Sequence, residues 1–265
     1  GSSKKDAEIY LEKFAKKNNS GLAIYRLPNI FGKWSKPNYN SVIATFCHNI
    51  SRDKEIIIND GNKKIKFAYI DNVVEDFIDI IGIDFTEILF PKISQCYESN
   101  LNKIVKTLIS FSNMAKTLEI HNFNDAFTKN LYSTYLSFVP SDNYSYDLVK
   151  NSDNRGDFVE FIKSKECGQI SYFTSKPGVT RGMHYHHTKT EKFLIVEGEA
   201  EFISKNLETG EIFKLNVASS NPKVIDTIPG CIHTITNIGK KDMKAIVWAN
   251  EIFDKDKPDT IAKKI

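Results

Sequence analysis

Several features that would narrow the function at once are scarce in this sequence of 265 residues. No apolar run approaches the roughly 20 residues that a membrane span needs, so we expect no span. The 36 basic and 33 acidic residues nearly balance, and the formal net charge is only +3. Because binding to a phosphate backbone needs a concentrated basic face, we expect no nucleic-acid partner.

Cysteine and arginine are also scarce. The four cysteines lie far apart without a CxxC pair, and no signal peptide is recognised, so we expect reduced thiols in a cytoplasmic protein. In this lysine-rich background an arginine more often marks a place where a planar, bidentate donor is needed. The arginines are Arg26, Arg52, Arg155 and Arg181.

Hydrophobic periodicity divides the chain into two halves. Helical and strand patterns alternate in the first half, which is typical of α/β order. From about residue 145, short apolar runs separated by turn signals predict a sandwich or small barrel. We interpret the Tyr-, Ser- and Asn-rich stretch 129–156 as a linker, with a boundary near residue 138. The sequence therefore predicts an α+β protein with domains at 1–138 and 139–265.

Four segments of the first half carry the clearest patterns. Residues 4–19 predict a helix with one apolar stripe, and residues 40–52 predict another helix behind Asn40 as its cap. Residues 55–60, "EIIIND", predict a buried strand, and 65–82 predict a strand that leads into a helix. The apolar stripe of the first helix consists of Ala7, Tyr10, Leu11, Phe14 and Ala15.

Three of the six histidines lie within four positions in "PGVTRGMHYHHTKTEKFLIVEG", residues 177–198. On extended chain His184 and His186 point to the same face, because side chains alternate along a strand. Glu191 can add a carboxylate from the next strand, and His233 a third imidazole from a later one. Such a set suits Zn, Mn, Fe, Ni or Cu, so we predict a divalent metal site.

The spacing of these residues resembles the cupin superfamily. Gly178, His184, His186, Glu191 and Gly198 match its first motif, and "GCIHTITN", residues 230–237, resembles the end of its second. One departure is that proline directly precedes Gly230 instead of standing two residues before it. The resemblance implies a jelly-roll β-barrel in the second half, with the three histidines and the glutamate as metal ligands.

The segments around the cluster resemble the nucleotide-linked 4-keto-sugar 3,5-epimerases. These segments are "DNRGDFVEFI" (153–162), "GQIS" (168–171) and "TRGMHYH" (180–186). The resemblance implies that Arg155 and Arg181 engage the nucleotide diphosphate and that Gln169 contacts the substrate.

The two resemblances conflict at one histidine. The epimerases use the residue at His184 as the base, whereas cupins use it as a metal ligand, and a metal-bound nitrogen cannot accept a proton. If metal is bound, the acid and base must come from other residues, which we leave unranked. The alternatives are His187, Tyr172, Tyr185 and Lys192.

The first half resembles the extended short-chain dehydrogenases that act on nucleotide sugars. "GSSK" resembles the end of their catalytic Tyr-x-x-x-Lys, which implies a catalytic role for Lys4. "YRLPNIFG", residues 25–32, resembles a segment whose asparagine holds substrate, here Asn29. No Gly-rich phosphate loop follows a first strand, so we expect a truncated α/β substrate lobe that does not bind NADPH.

Taken together, "FGKWSKPNYNSVIATF", "NLYSTYL", "HHTKTEKFL" and "WANEIFDKDKPDT" resemble the CapF family of bifunctional capsular polysaccharide enzymes. That family joins an NADPH-dependent reductase to a zinc cupin epimerase in the synthesis of UDP-N-acetyl-L-fucosamine. The resemblance implies zinc-dependent C3 epimerisation of a UDP-2-acetamido-2,6-dideoxy-4-hexulose, and a homodimer. Two alternatives stay open: a cupin that binds metal and nucleotide sugar as a docking or dimerising module, and a metal oxygenase.

Overall fold

The computed structural model describes residues 2–265, which form two compact units. The first unit runs to Ser112 and resumes over Phe123–Tyr144, and the second consists of Asn113–Asn122 and Ser145–Ile265. The predicted boundary near residue 138 lies a few residues before Ser145. The start of the predicted linker is helical, because Asp125 caps a helix over Ala126–Leu136 by accepting a hydrogen bond from the backbone N–H of Thr128.

Five α-helices are found in the described chain. They are α1 (Ser2–Asn18), α2 (Val42–Ile50), α3 (Ile70–Ile81), α4 (Leu101–Thr117) and α5 (Ala126–Leu136). The cap of α2 is Ser41, whose hydroxyl accepts from the N–H of Ala44, so the predicted cap Asn40 was one residue early. None of the described helices combines the length and apolarity that a bilayer crossing requires.

The first unit contains two small sheets. Their strands are β1 (Leu22–Ala23), β2 (Asn29–Phe31), β3 (Ile65–Tyr69), β4 (Ile88–Leu89) and β5 (Tyr97–Ser99). β1 pairs with β4 in parallel; β3 pairs with β2 in parallel and with β5 antiparallel. The core of this unit includes Phe31 and Phe67, whose rings meet edge to face and are each 1% exposed.

The helix predicted over residues 4–19 is found as α1; of its apolar stripe Ala15 is buried, whereas Tyr10 is 69% exposed and Phe14 is 54% exposed. Another prediction for the first unit was wrong. Residues 55–60 form no strand: Ile57 is largely exposed, and the carbonyl of Glu55 accepts a hydrogen bond from the Asn49 side chain. An apolar run becomes a strand only where a neighbouring strand pairs with it.

The second unit is built from antiparallel strands. They are β6 (Lys150–Asp153), β7 (Gly156–Ser164), β8 (Gly168–Ser175), β9 (Thr180–Tyr185), β10 (Glu191–Glu197), β11 (Glu199–Asn206), β12 (Ile212–Ala218), β13 (Val224–Asp226), β14 (Cys231–Asn237), β15 (Met243–Ala249) and β16 (Ile261–Ala262). One sheet has the order β13-β10-β15-β8-β7-β6 and the other β12-β11-β14-β9-β16. The strands of the second unit thus form two separate sheets, and no closed barrel, as the predicted barrel would require, is found among residues 2–265.

One hydrophobic cluster joins the two sheets of this unit. Phe193 and Met243 come from the six-stranded sheet, and Phe202 and Ile235 from the five-stranded sheet, and all four are buried in the same cluster. Burying an apolar side chain of this size contributes about 1.5–3 kcal/mol to stability. This shared core fixes the strands that carry the histidines.

Candidate metal centre

The four predicted ligands converge in the second unit. His184 lies on β9, His186 just after it, Glu191 opens β10 and His233 lies on β14. One potential ligand atom from each of the four lies within 4.8 Å of the others. His186 and His233 are 1% and 2% exposed, and Glu191 is 8% exposed. The structure therefore brings together the set that strand alternation and motif spacing predicted.

An irregularity in the strand pairing sets the position of His184. His184 is the register partner of His233, but the next pair is Gly182 with Thr234, so Met183 is an extra residue. Both Gly182 and Met183 have positive φ, at 91° and 65°. A Cβ on Gly182 would lie 2.6 Å from the carbonyl oxygen of His233, so only glycine permits this close approach.

The histidine nitrogens are available for a ligand. Nε2 of His184, Nε2 of His186 and both ring nitrogens of His233 are buried without a hydrogen-bond partner. Buried polar atoms are nearly always satisfied, so a group of unpartnered nitrogens indicates a missing ligand. The Nδ1 atom of His186 contacts the backbone carbonyl of Asp259, which leaves Nε2 as the lone-pair nitrogen.

The carboxylate of Glu191 faces these nitrogens. Its Oε2 atom lies 3.4 Å from Nε2 of His186 and 3.4 Å from Nε2 of His233. Ligands held about 2.0–2.1 Å from a tetrahedral ion lie about 3.3–3.4 Å apart, so these separations fit a metal better than direct hydrogen bonds. The residues present therefore fit a divalent ion.

The charge states of the cluster also suit a cation. Burial, followed by the neighbouring His233, lowers the pKa of His184 from 6.5 to about 4, which keeps the imidazole neutral near pH 7. Burial alone would raise the pKa of Glu191, but contacts with His186, His233 and Lys189 outweigh it and hold that pKa below its ordinary value. Neutral imidazoles and an ionised carboxylate are the forms that bind metal.

Three members of the cluster, His184, Glu191 and His233, line a cavity of about 430 Å³ within the second unit. Arg155, Arg181 and Gln169, all predicted to bind substrate, line the same cavity. Arg155 forms an ion pair of 2.6 Å with Asp153, and its hydrogen bonds lower the pKa of that carboxyl to about 2. Gln169 is buried, and its Oε1 atom accepts from the N–H of Phe253.

Arg181 is held along the cavity wall. Its Nε donates to the carbonyl of Thr174 at 3.0 Å, and its guanidinium lies 5.4 Å from the ring centre of Phe173. These contacts fix the stem and leave a cationic group beside the cavity.

The residues predicted to move protons do not line this cavity. Tyr172 lies between Ser171 and Phe173, which do line it, so strand alternation turns Tyr172 to the opposite face. The His187 ring is exposed and packs at 5.5 Å against Tyr185, outside the lining. Their roles as acid or base stay predictions without support from the cavity geometry.

Three further predicted residues lie elsewhere. The exposed Lys192 pairs with Asp226 on the surface and is not part of the cavity lining. Lys4 is exposed on α1, and Asn29 on β2 donates to the carbonyl of Lys66; both belong to the first unit. Their predicted catalytic and substrate-binding roles stay predictions.

Sequence reasoning missed Lys189, which lines the cavity with a side chain only 12% exposed. Its Nζ atom lies 2.9 Å from Oε1 of Glu191. Lys189 lies in the loop before β10, so strand alternation gave no signal for it.

Known proteins show the same two-part organisation. Residues 151–261 match the model of the polysaccharide biosynthesis C-terminal domain, and residues 1–81 match that of the NAD dependent epimerase/dehydratase family. A structure of the capsular polysaccharide assembling protein CapF from Staphylococcus aureus is 41% identical, with a TM-score of 0.94 over 100% of this chain and 72% of that one. The chain belongs to the CapF family.

Two curated proteins extend this relationship. A Pseudomonas aeruginosa protein named UDP-2-acetamido-2,6-beta-L-arabino-hexul-4-ose reductase is 44% identical over 99% of this chain and 70% of its own length. The spore coat polysaccharide biosynthesis protein SpsL of Bacillus subtilis is 27% identical over 42% of this chain and 81% of its own length. The CapF-family match extends across both units, whereas the SpsL match covers less than half of the chain.

Proposed function

We propose that this CapF-family chain epimerises carbon 3 of a UDP-linked 2-acetamido-2,6-dideoxy-4-hexulose during the synthesis of capsular polysaccharide precursors. The observation that carries this proposal is one cavity that joins a four-ligand cluster to two arginines. The names of the relatives, which refer to a UDP-linked hexul-4-ose and to capsular polysaccharide assembly, support the substrate class.

The second unit is proposed to be a cupin. Its ligands come from β9, β10 and β14 at the spacing of the cupin motifs, and its two antiparallel sheets share one core. His184, His186, Glu191 and His233 would hold a divalent ion, for which we propose Zn²⁺. Such an ion supplies Lewis-acid polarisation of the C4 ketone, which acidifies the proton on carbon 3.

The arginines would hold the nucleotide diphosphate. Arg155 and Arg181 present planar guanidinium groups to one cavity, and such groups bind phosphate oxygens in a bidentate manner. Because Arg155 is already paired with Asp153, the diphosphate must compete with that carboxylate. Arg181 has no side-chain carboxylate within ion-pair distance among residues 2–265, so we assign it the larger share of diphosphate binding.

Proton transfer is assigned to the titratable groups of the cavity that remain. With the four ligands, the arginines and Asp153, the partner of Arg155, set aside, the described lining leaves Glu160, which pairs with Lys163, and Lys189, which pairs with Glu191. Epimerisation needs one group to remove the proton on carbon 3 and another to return a proton to the opposite face. We therefore propose Glu160 and Lys189 for these two steps, in place of Tyr172, Tyr185 and His187.

The first unit is proposed to belong to the reductase part of the family. Its match to the NAD dependent epimerase/dehydratase family over residues 1–81 supports this, as does the name of the Pseudomonas relative. Lys4 and Asn29 would contribute to a site for C4 reduction. The predictions that this chain does not itself bind NADPH, that it is a homodimer and that it is cytoplasmic are kept as proposals.

Exchange of the carbon 3 proton with solvent tests the epimerase proposal. The purified chain is incubated with the UDP-linked 4-keto sugar in heavy water without NADPH, and the proton on carbon 3 is followed by NMR. We expect exchange in the parent, and its loss in chelator and in His233→Ala. His48→Gln, a change on α2 in the first unit, is the matched control and should exchange as the parent does.

Three results would contradict the proposal. Saturable binding of the sugar without exchange would favour the docking or dimerising module, and consumption of dioxygen would favour a metal oxygenase. Exchange that continues at the parent rate in both chelator and His233→Ala would contradict the metal-dependent mechanism.

A further inference from the structure

A residue near the end of the chain is built into the loop that joins two of the proposed ligands. The geometry points to Asp259 as the positioning residue of the metal centre, acting through its side chain and its backbone together. This inference rests on the proposed metal site. Asp259 acts on the metal ligands through the loop and the ring that it contacts, and it is assigned no contact with the substrate.

The carboxylate of Asp259 organises the loop between His186 and Glu191. It accepts hydrogen bonds from three consecutive backbone N–H groups, at 2.9 Å from His187, 2.7 Å from Thr188 and 2.9 Å from Lys189. The hydroxyl of Thr188 donates to it as well, at 3.1 Å. Hydrogen bonds to an ionised acceptor are stronger than neutral ones, so one carboxylate fixes the whole loop.

The backbone carbonyl of the same residue orients a ligand directly. It contacts Nδ1 of His186, and a carbonyl can only accept, so Nδ1 carries the proton. The Nε2 atom of His186 then holds a free lone pair, has no hydrogen-bond partner, and lies 3.4 Å from Oε2 of Glu191. Partners of this kind set the tautomer and ring orientation of histidine ligands.

The residues after Asp259 hold β9, the strand that carries His184. Ile261 pairs with Tyr185 and Ala262 with His184, so β16 forms the edge of the sheet beside β9. The N–H of Lys263 donates to the carbonyl of Met183, the extra residue of the strand irregularity. The segment 259–263 therefore contacts the backbone on both sides of His184 and the loop after His186.

The same loop places Lys189. Its backbone N–H is held by Asp259 while its side chain reaches Oε1 of Glu191 at 2.9 Å. A shift of the loop would move His186 and Lys189 together, and both contact Glu191. Removal of the Asp259 carboxylate is thus expected to loosen two of the contacts that orient Glu191.

Metal titration without any sugar tests this inference. Co²⁺ is titrated into the full chain, its absorption spectrum is recorded, and the Zn²⁺ affinity is measured by competition with a chelator. Asp259→Ala is expected to weaken affinity about 10- to 100-fold, as loss of an outer partner of a ligand does, and to change the Co²⁺ spectrum. Asp259→Asn keeps one acceptor oxygen and should fall between the parent and Asp259→Ala.

The matched control is Asp256→Ala, on the same exposed segment. The backbone N–H of Asp256 donates to the Asp254 side chain, a contact that the substitution keeps. This variant should bind Co²⁺ as the parent does. A second readout needs no metal: ¹⁵N NMR of labelled histidines should show His186 protonated at Nδ1 in the parent and a tautomer mixture in Asp259→Ala. If Asp259→Ala does not fold, both readouts are taken on Asp259→Asn.

The outcomes separate this inference from the epimerase proposal. The inference about Asp259 would be overturned if its variants keep the metal affinity, the Co²⁺ spectrum and the His186 tautomer of the parent, even if carbon 3 exchange is observed. Weaker affinity with an altered spectrum would support it, even if no exchange occurs. A parent that binds neither ion would overturn it together with the metal site.

Discussion

The ammonium group of Lys189 lies 2.9 Å from one carboxylate oxygen of Glu191, and the other oxygen of Glu191 faces two histidine nitrogens. The carboxylate is thus shared between a cation that the chain supplies and the proposed metal. This arrangement leaves one oxygen for the metal and places a proton donor at the cavity wall.

Replacement of Lys189 tests whether it moves a proton. Lys189→Met keeps the length of the stem but has no ionisable group, so carbon 3 exchange should fall about 10²- to 10⁴-fold while bound metal is retained. Exchange is measured by NMR and bound metal by elemental analysis. Lys192→Met, an exposed neighbour paired with Asp226, is the control. A rate in Lys189→Met within threefold of the parent would contradict the assignment.

Substitution of Gly182 tests the close approach of β9 and β14. Gly182→Ala places a methyl group 2.6 Å from the carbonyl of His233 at a φ of 91°, so both strain and a backbone clash are expected. Gly210→Ala has a similar φ of 74° but nothing within 4 Å, and it isolates the cost of the conformation alone.

We expect Gly182→Ala to lose about 1–3 kcal/mol more unfolding free energy than Gly210→Ala, because overpacking adds to the strain. Urea unfolding in chelator gives this difference, and Co²⁺ titration should show weaker binding only in Gly182→Ala. Equal losses in the two variants would mean that β9 adjusts without displacing His184.

The lowered pKa of His184 predicts how stability depends on pH in chelator. The unfolded histidine binds a proton near pH 6.5, whereas the folded one does so only near pH 4. Between these values the unfolded state holds more protons, so acid favours unfolding and the contribution of His184 is lost as pH falls from about 6.5 to about 4.

Urea unfolding at pH 7 and pH 5 measures this effect. The parent should lose more stability between the two values than His184→Gln, which has no titrating ring. Titratable groups outside the cluster are common to both proteins and cancel in the comparison, which therefore reports His184 together with its coupling to Glu191, His186 and His233. An identical pH dependence in the two proteins would contradict the burial of a neutral His184.

The ligand set could be predicted from the sequence because its spacing follows strand geometry. His184 and His186 are two residues apart, and Glu191 opens the next strand, so alternation alone places their side chains together. The same rule, applied to β8, puts Tyr172 on the face opposite Ser171 and Phe173, which line the cavity, so its proton-transfer role stays a prediction without support from the geometry. Lys189 lies in the loop before β10, where strand alternation does not apply, so its contact with Glu191 could not be predicted in this way.

Asp259 could not be predicted in this way. It stands 73 residues after His186, and only the pairing of β16 with β9 brings it to the loop. The run "EIIIND" forms no strand for a related reason, since an apolar pattern is buried only where another element covers it, and most of the apolar stripe of α1 is likewise exposed. Local periodicity predicts faces, whereas tertiary pairing decides which faces are covered.

The most direct test of the central claim is the carbon 3 exchange rate of metal-free protein as Zn²⁺ is added back. The account predicts that the rate rises from near zero in proportion to bound ion, reaches a plateau at one ion per chain, and stays near zero in His233→Ala at the same total Zn²⁺. A rate that does not depend on bound ion, or a His233→Ala variant that recovers the parent plateau, would contradict it.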